Sequence, residues 1–220
     1  MADFPPEPWD LRGQLHASVF LVPARRIPAD LPAGCRPIRL GRHAVVGVAW
    51  VEYEPGGVLD YREVMATVLV RHGLRPLPHI VRIWVDSPAS RDGGRALWGI
   101  PKELASFAFE PGSEGTRFHA WDDAGGIALG SVRSLLRLPG RWPVGFSVVQ
   151  RLAGAVKVSP VRARAALEVA AATFDPDPSG PLGWLAGHRP WLTFTLRDFE
   201  MSFGGRTADS AAGSRAVTHN

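Results

Sequence analysis

Apolar and polar positions alternate with a period near two along most of this chain, in short stretches broken by glycine, proline and aspartate. Leu15 to Pro23 (LHASVFLVP) predicts a first strand, and Pro28, Pro32 and Pro37 then mark an irregular connection. His43 to Tyr53 is rich in valine and aromatic residues and predicts a second strand. Glu54, Pro55, Gly56 and Gly57 supply turn chemistry, and β-branched residues resume from Arg62 to Val70, which makes a hairpin of the two runs. His79 to Asp86 is a further half-buried strand. Ser87 and Pro88 offer an N-cap and a first-turn proline, predicting a short helix toward Leu97 in spite of Gly93 and Gly94.

Beyond Leu104 the strand pattern returns around Phe107, Phe118, Ile127 to Leu136 and Phe146 to Val149. Lys157 to Phe174 alternates arginine and alanine around Val161 to Ala165, which predicts strand, although AALEVAAA within it also suits a helix. A last strand from Trp191 to Phe203 precedes a small and polar tail, 204–220, expected to be disordered. Residues 1–203 thus read as one mainly antiparallel β domain of α+β type with a helix inserted before Lys102, and no repeat of solenoid or propeller length is present.

Composition narrows the function. At 220 residues, 45% hydrophobic and 21% charged, the chain is of ordinary globular type and long enough for one core. No apolar run reaches the length of a spanning helix and the opening residues carry acids and prolines, so neither a membrane partner nor a secretory signal is expected. A single cysteine, Cys35, can form no internal disulfide, which suits a reducing cytoplasm. The sequence pI near 10.0 raises a nucleic-acid partner, but the arginines are scattered without a basic run interleaved with aromatics, and none is expected. Phosphate loops, dinucleotide fingerprints and hydrolase elbows are absent, and the seven histidines show no metal-ligand spacing, so no cofactor and no metal are expected. The tryptophans, Trp50, Trp84, Trp98 and Trp121 among them, read as core.

Of 25 basic residues only two, Lys102 and Lys157, are lysine. Lys102 lies in GRALWGIPKELASF, where extended chain would put it on one face with Ile100 and Leu104. A free lysine is neutral in only about one molecule in 2,500 at pH 7, and only the neutral amine attacks a carbonyl. Burial among aliphatic groups would lower its pKa; a surface lysine beside Glu103 would not need to.

The run from Gly94, GR followed after five residues by PK and a leucine two positions on, resembles the active-site segment of the acetoacetate decarboxylase family. Tyr61 to Glu63 after a glycine-rich turn, and the strand ending at Asp86 before the helix, fall in the family's order. The resemblance implies a β cone or barrel with few flanking helices, an imine formed between Lys102 and a small keto acid, and Glu63 as an acidic residue of the site. It also implies that Arg95 braces the loop or touches substrate, and that copies assemble into a homo-oligomer. Ile100 and Trp84 are candidate pocket walls, and the arginine that the family carries in its first strand is not evident, that region offering Gln14 and the candidate substrate-binding His16. Family decarboxylases have a second lysine directly after the first; here it is Glu103, so activation is expected from burial with Glu103 turned away. The chemistry expected is β-keto acid decarboxylation, with a pyruvate aldolase or dehydratase and a noncatalytic binding protein as alternatives.

Overall fold

The structure, a computed structural model, describes residues 3–28 and 30–205. In chain order the strands are β1 (Trp9–Pro23), β2 (Cys35–Pro37), β3 (Arg39–Leu40), β4 (His43–Tyr53), β5 (Tyr61–His72), β6 (Arg75–Val85), β7 (Lys102–Leu104), β8 (Ser106–Gly112), β9 (Gly115–Asp122), β10 (Gly125–Arg137), β11 (Trp142–Leu152), β12 (Ala155–Pro176) and β13 (Leu192–Phe203), with α1 (Pro88–Trp98) between β6 and β7. They form one curled sheet in the order β7-β6-β5-β4-β1-β13-β12-β10-β9-β8, with β11 beside β12 and the short β2 and β3 beside β5 and β4. Ladders are antiparallel except β6 with β7, which α1 connects and which is parallel, as a helical crossover requires.

The expected strands, the β4–β5 hairpin and the single α-helix are all present, and the mainly β, α+β class is the observed one. Several boundaries differ, among them β6, which begins at Arg75 and not at His79. The first strand begins at Trp9, because residues 9–13 also find a partner, in β13. Within the irregular connection Cys35–Pro37 pairs with β5 and Arg39–Leu40 with β4. The stretch with helical potential is strand throughout, because β12 hydrogen-bonds β13 on one side and β10 and β11 on the other, and Glu168 to Ala171 alternate buried and exposed. Of the tail expected to be disordered, Gly204 N donates to Pro160 O and Gly205 N to Glu7, while 206–220 lie outside the described residues.

Alternation divides the core in two. One cluster, including Phe20, Trp50, Val64, Trp84, Phe118 and Phe174, lies inside the curl, where Trp50 stacks on Phe118 with centroids 5.1 Å apart. The other, including Trp9, Tyr53, Tyr61, Ile83, Trp98 and Ile100, lies on the opposite face under α1. The curl closes where β6 meets β11 through side chains: His79 Nδ1 bonds Val149 O at 2.9 Å and Gln150 Nε2 donates to Ile80 O at 3.1 Å. Trp50, Trp84 and Trp98 are core as expected, whereas Trp121 is 36% exposed.

Candidate active site

Helix α1 and strand β5 build a chamber around the end of Lys102. Ser87 caps the helix by accepting from Ser90 N, Pro88 occupies the first turn, and Gly99 ends it in the left-handed region at φ 68°. A Cβ at Gly99 would fall 2.0 Å from Arg151 O, so only glycine fits there. The chain then reverses through Ile100 and Pro101 and enters β7, with Lys102 beside Ile83 in the sheet. The glycines that looked awkward inside a helix are explained by what lies against them. A Cβ at Gly94 would stand 2.7 Å from Lys102 Cδ, and one at Gly93 would stand 2.5 Å from the Trp9 indole.

All three protons of the Lys102 ammonium have acceptors: Glu63 Oε2 at 2.9 Å, Ser90 Oγ at 2.9 Å and Tyr61 OH at 3.2 Å. Tyr53 OH donates to the second Glu63 oxygen at 3.4 Å. The Tyr61 ring centroid is 4.9 Å from Nζ and that of Trp9 6.0 Å, so the cation lies over aromatic faces as well. Lys102, Glu63 and Ser90 are 4%, 2% and 0% exposed, which makes this a buried ion pair.

Burial by itself pushes the Lys102 pKa down, but the Glu63 carboxylate, helped by Tyr61, more than reverses it, and the net direction is upward. The expectation of a depressed lysine is therefore corrected: the chamber is buried as foreseen, yet it holds a compensating anion. Burial also raises both phenols, Tyr53 and Tyr61, the neighbouring Glu63 charge adding to it, so both stay protonated at neutral pH.

Lys102 and Glu63 come together as the sequence suggested, and Ile100 is buried in the same cluster, 3% exposed. The other candidates do not converge there. Arg95 donates from Nε to Lys102 O at 2.7 Å and pairs with Glu103 at 3.2 Å, so it braces the segment from outside. Glu103 is turned away, as expected. Leu104, expected on the buried face, is 40% exposed because β7 ends at the sheet edge. Trp84 pairs with Val64, one position out of phase with Glu63, and so faces the inner cluster. His16 lies in the row of Trp50 and Thr195, on that same inner face, bonded to Thr195 Oγ1 at 2.8 Å. Both are corrections dictated by the period of two.

Tyr61, Tyr53, Ser90 and Trp9 were missed as site residues. Tyr61 was findable, being two positions before Glu63 on one strand, and Ser90 lies one helical turn before Gly94, on its face. Tyr53 required the hairpin register and Trp9 the tertiary fold.

A single curled β-rich sheet with one helix before the edge strand that carries Lys102 is the architecture that known relatives share. The model of the acetoacetate decarboxylase (ADC) family matches residues 2–136, more than half of the chain, and the chain belongs to that family. No protein of curated function matches it. Among solved structures it is similar to acetoacetate decarboxylase from Legionella pneumophila, with 14% identity, a TM-score of 0.70 and 94% of this chain covered against 90% of that one. It is also similar to the enduracididine biosynthesis enzyme MppR complexed with pyruvate, at 16% identity, a TM-score of 0.65 and coverages of 92% and 90%. An acetoacetate decarboxylase-like enzyme from Sphingomonas wittichii gives 15%, a TM-score of 0.63 and 92% of both chains. At these identities the likeness is one of fold.

Proposed function

We propose that the protein is a lyase that forms a Schiff base between Lys102 and a small keto acid, with decarboxylation of a β-keto acid as its reaction. The observation that carries this is the buried Lys102–Glu63 pair at 2.9 Å, a lysine with a carboxylate positioned to take its proton. In the resting state the ammonium is protonated. When a ketone replaces the contacts to Ser90 and Tyr61, Nζ passes a proton to Glu63 and the neutral amine attacks the carbonyl carbon. The proton on Glu63 then leaves with the carbinolamine hydroxyl as water, giving an iminium. The bond to the carboxylate breaks, its electron pair moves to the iminium, carbon dioxide departs and an enamine remains. One proton returned to carbon and one water complete the ketone and free the lysine.

A second reading is favoured by the likeness to a structure containing pyruvate: the enamine of pyruvate would attack an aldehyde, as in an aldolase or dehydratase. The test is borohydride reduction in the presence of acetoacetate or pyruvate, followed by peptide mass mapping. An adduct on Lys102 that disappears in Lys102→Met supports the lysine chemistry, and no adduct with either acid overturns it in favour of noncatalytic binding. Released carbon dioxide against a condensation product separates the two enzymes.

A cytoplasmic setting and self-association belong to the same proposal. Cys35 is unpaired, and no helix among the described residues is long and apolar enough to cross a membrane. Trp191, Leu192, Val169 and Leu136 expose between 37% and 71% of their surface along neighbouring strands, an apolar strip that a second copy would cover. Sedimentation velocity tests it, a monomer at micromolar concentration being the contrary result.

A further inference from the structure

We propose that the end of the sheet opposite the hairpin turn at Gly56 and Gly57 is a binding site for a small phosphorylated anion, gripped by Arg36, Arg39 and Arg71. The formal net charge of +4 conceals a polarised molecule. The end where β4, β6 and β7 finish and β5 begins gathers Glu52, Glu54, Asp60 and Asp86. The other end of the same strands gathers Arg36, Arg39 and Arg71, with Arg25, Arg26, Arg42 and Arg75 in the flanking turns and strand ends. Among the described residues, none of these seven arginines has a carboxylate within ion-pair distance. Asp30, the acid nearest in sequence, is paired with Arg151.

Two features make this more than a solvated basic face. Arg36 and Arg71 are directly opposite each other in the β2–β5 ladder, where like charges destabilise the sheet unless something neutralises them. Together with Arg39, Pro37 and Ile38 they line a cleft of about 630 Å³, within the size range of small-molecule sites. The backbone there is held, since Ile38 N donates to Leu69 O at 2.9 Å and Val45 N to Ile38 O at 3.2 Å. The lining is mainly carbon, from the arginine stems with Pro37 and Ile38, and guanidinium groups borne on these fixed strands can turn over its rim to meet phosphate oxygens bidentately. Three of them suit the charge of a diphosphate, and the Pro37–Ile38 floor suits an organic group attached to it. The cleft is too small to seat a duplex, and the wide field of the basic end steers an anion to it.

The proposal is independent of the lysine chemistry, so Lys102→Met protein serves as a second parent. Titration with inorganic pyrophosphate at low ionic strength, followed by calorimetry and thermal melting against a chloride control of equal ionic strength, should give a dissociation constant below 1 mM and a melting point several degrees higher. Arg71→Gln and Arg36→Gln should each weaken binding at least tenfold. In the absence of pyrophosphate both should melt at or above the parent temperature, because each removes a repulsion. Arg117→Gln, at an exposed pair on the β8–β9 hairpin, should bind like the parent. A pyrophosphate shift no larger than that of chloride overturns the proposal, as does equal binding by the Arg36→Gln/Arg71→Gln double variant. Duplex DNA that binds in 0.3 M salt where pyrophosphate does not would also overturn it, replacing a small ligand with a nucleic acid.

Discussion

The two lysines of this protein each face a glutamate, and the two regions that hold them behave differently. Lys102 and Glu63 are 2.9 Å apart with side chains 5% and 2% exposed, whereas Lys157 and Glu7 are 3.4 Å apart with side chains 33% and 30% exposed. In the first region water has been replaced by Ser90, two tyrosines and an indole, so each charge depends on the other. In the second, Lys157 is one donor among several: Glu7 also accepts from Trp98 Nε1 at 2.8 Å and Gly205 N at 3.2 Å, and water reaches the rest. The lesson is that burial decides what a Lys–Glu contact is. Where solvent is excluded, the pair is an obligate unit in which moving one proton changes everything nearby; where it is admitted, the pair is a weak tether.

Breaking the buried unit should have the largest effect. Lys102→Met leaves Glu63 with Tyr53 as its remaining hydrogen-bond donor in an apolar chamber, and removal of one partner of such a pair costs about 3–5 kcal/mol. Urea unfolding should show that loss, and the double variant Lys102→Met/Glu63→Leu should regain most of it. The same unit is proposed to move the reaction's proton, so Glu63→Gln should lower turnover by about 10² to 10⁴. Because Glu63 is what holds the Lys102 pKa up, that substitution should also shift the pH at which borohydride trapping becomes rapid toward lower values. Turnover equal to that of the parent would remove Glu63 from the mechanism. In the parent the sign is the reverse of a depressed lysine: the stabilisation from the pair is complete below the ordinary lysine range and is lost only as pH rises through the raised value.

A third buried ionisable group sharpens the contrast. His16 is 9% exposed, but no carboxylate is bonded to it; burial and the Arg197 charge lower its pKa to about 4, against a smaller opposing effect of Glu168. Its folded pKa lies below the unfolded value of about 6.5, so stability is full above pH 6.5 and falls as pH drops toward 4. At about 1.4 kcal/mol per pKa unit, full protonation costs about 3 kcal/mol. Melting curves between pH 7 and 4 should slope less in His16→Gln, and identical slopes would mean that the histidine is hydrated.

Much of this was legible in the sequence, and the reasons are particular. Periodicity located the strands because alternate residues go to different surroundings, Val46, Val48 and Trp50 to the inner cluster and their neighbours to the opposite face. Ser87 and Pro88 marked the start of α1 by local chemistry, whereas its end at Gly99 came from the structure. Lys102 and Glu63 were named through the resemblance of GR, PK and YRE to a family, which singled out positions without revealing their contact. What escaped depended on pairing between distant segments. Trp84 and His16 were assigned to the site without the register that sends them to the opposite face. The direction of the lysine's pKa shift was unreadable because burial and the opposing carboxylate act against each other, and only the 2.9 Å contact decides which wins.

A smaller effect is expected from Gly94→Ala. The added methyl would stand 2.7 Å from Lys102 Cδ and 3.0 Å from Cε, so the lysine stem or the helix must shift. Overpacking of this kind costs about 1–3 kcal/mol. Because the displaced atom belongs to the proposed nucleophile, the rate of adduct trapping should fall along with the melting point. Unchanged trapping in a destabilised variant would show that the helix yields instead of the lysine.

The smallest effect belongs to Lys157→Met, and it is the variant on which the comparison of the two lysines rests. Its side chain is a third exposed and its ammonium meets Glu7 at 3.4 Å, a geometry worth less than about 1 kcal/mol in solvent. Burial tends to raise the Glu7 carboxyl, but the Trp98 and Gly205 donors and the Lys157 charge together hold it below its usual value. With Lys157 gone, those two donors remain, so Glu7 should still anchor the segment before β1. Urea unfolding should therefore show a difference from the parent of less than about 1 kcal/mol, and 0.5 M sodium chloride should shrink it further by screening. Borohydride trapping should be unchanged, since the proposed imine forms on Lys102. A loss comparable to that of Lys102→Met, or one insensitive to salt, would mean that exposure does not separate the two pairs, and the distinction between an obligate buried unit and a surface tether would fail in this protein.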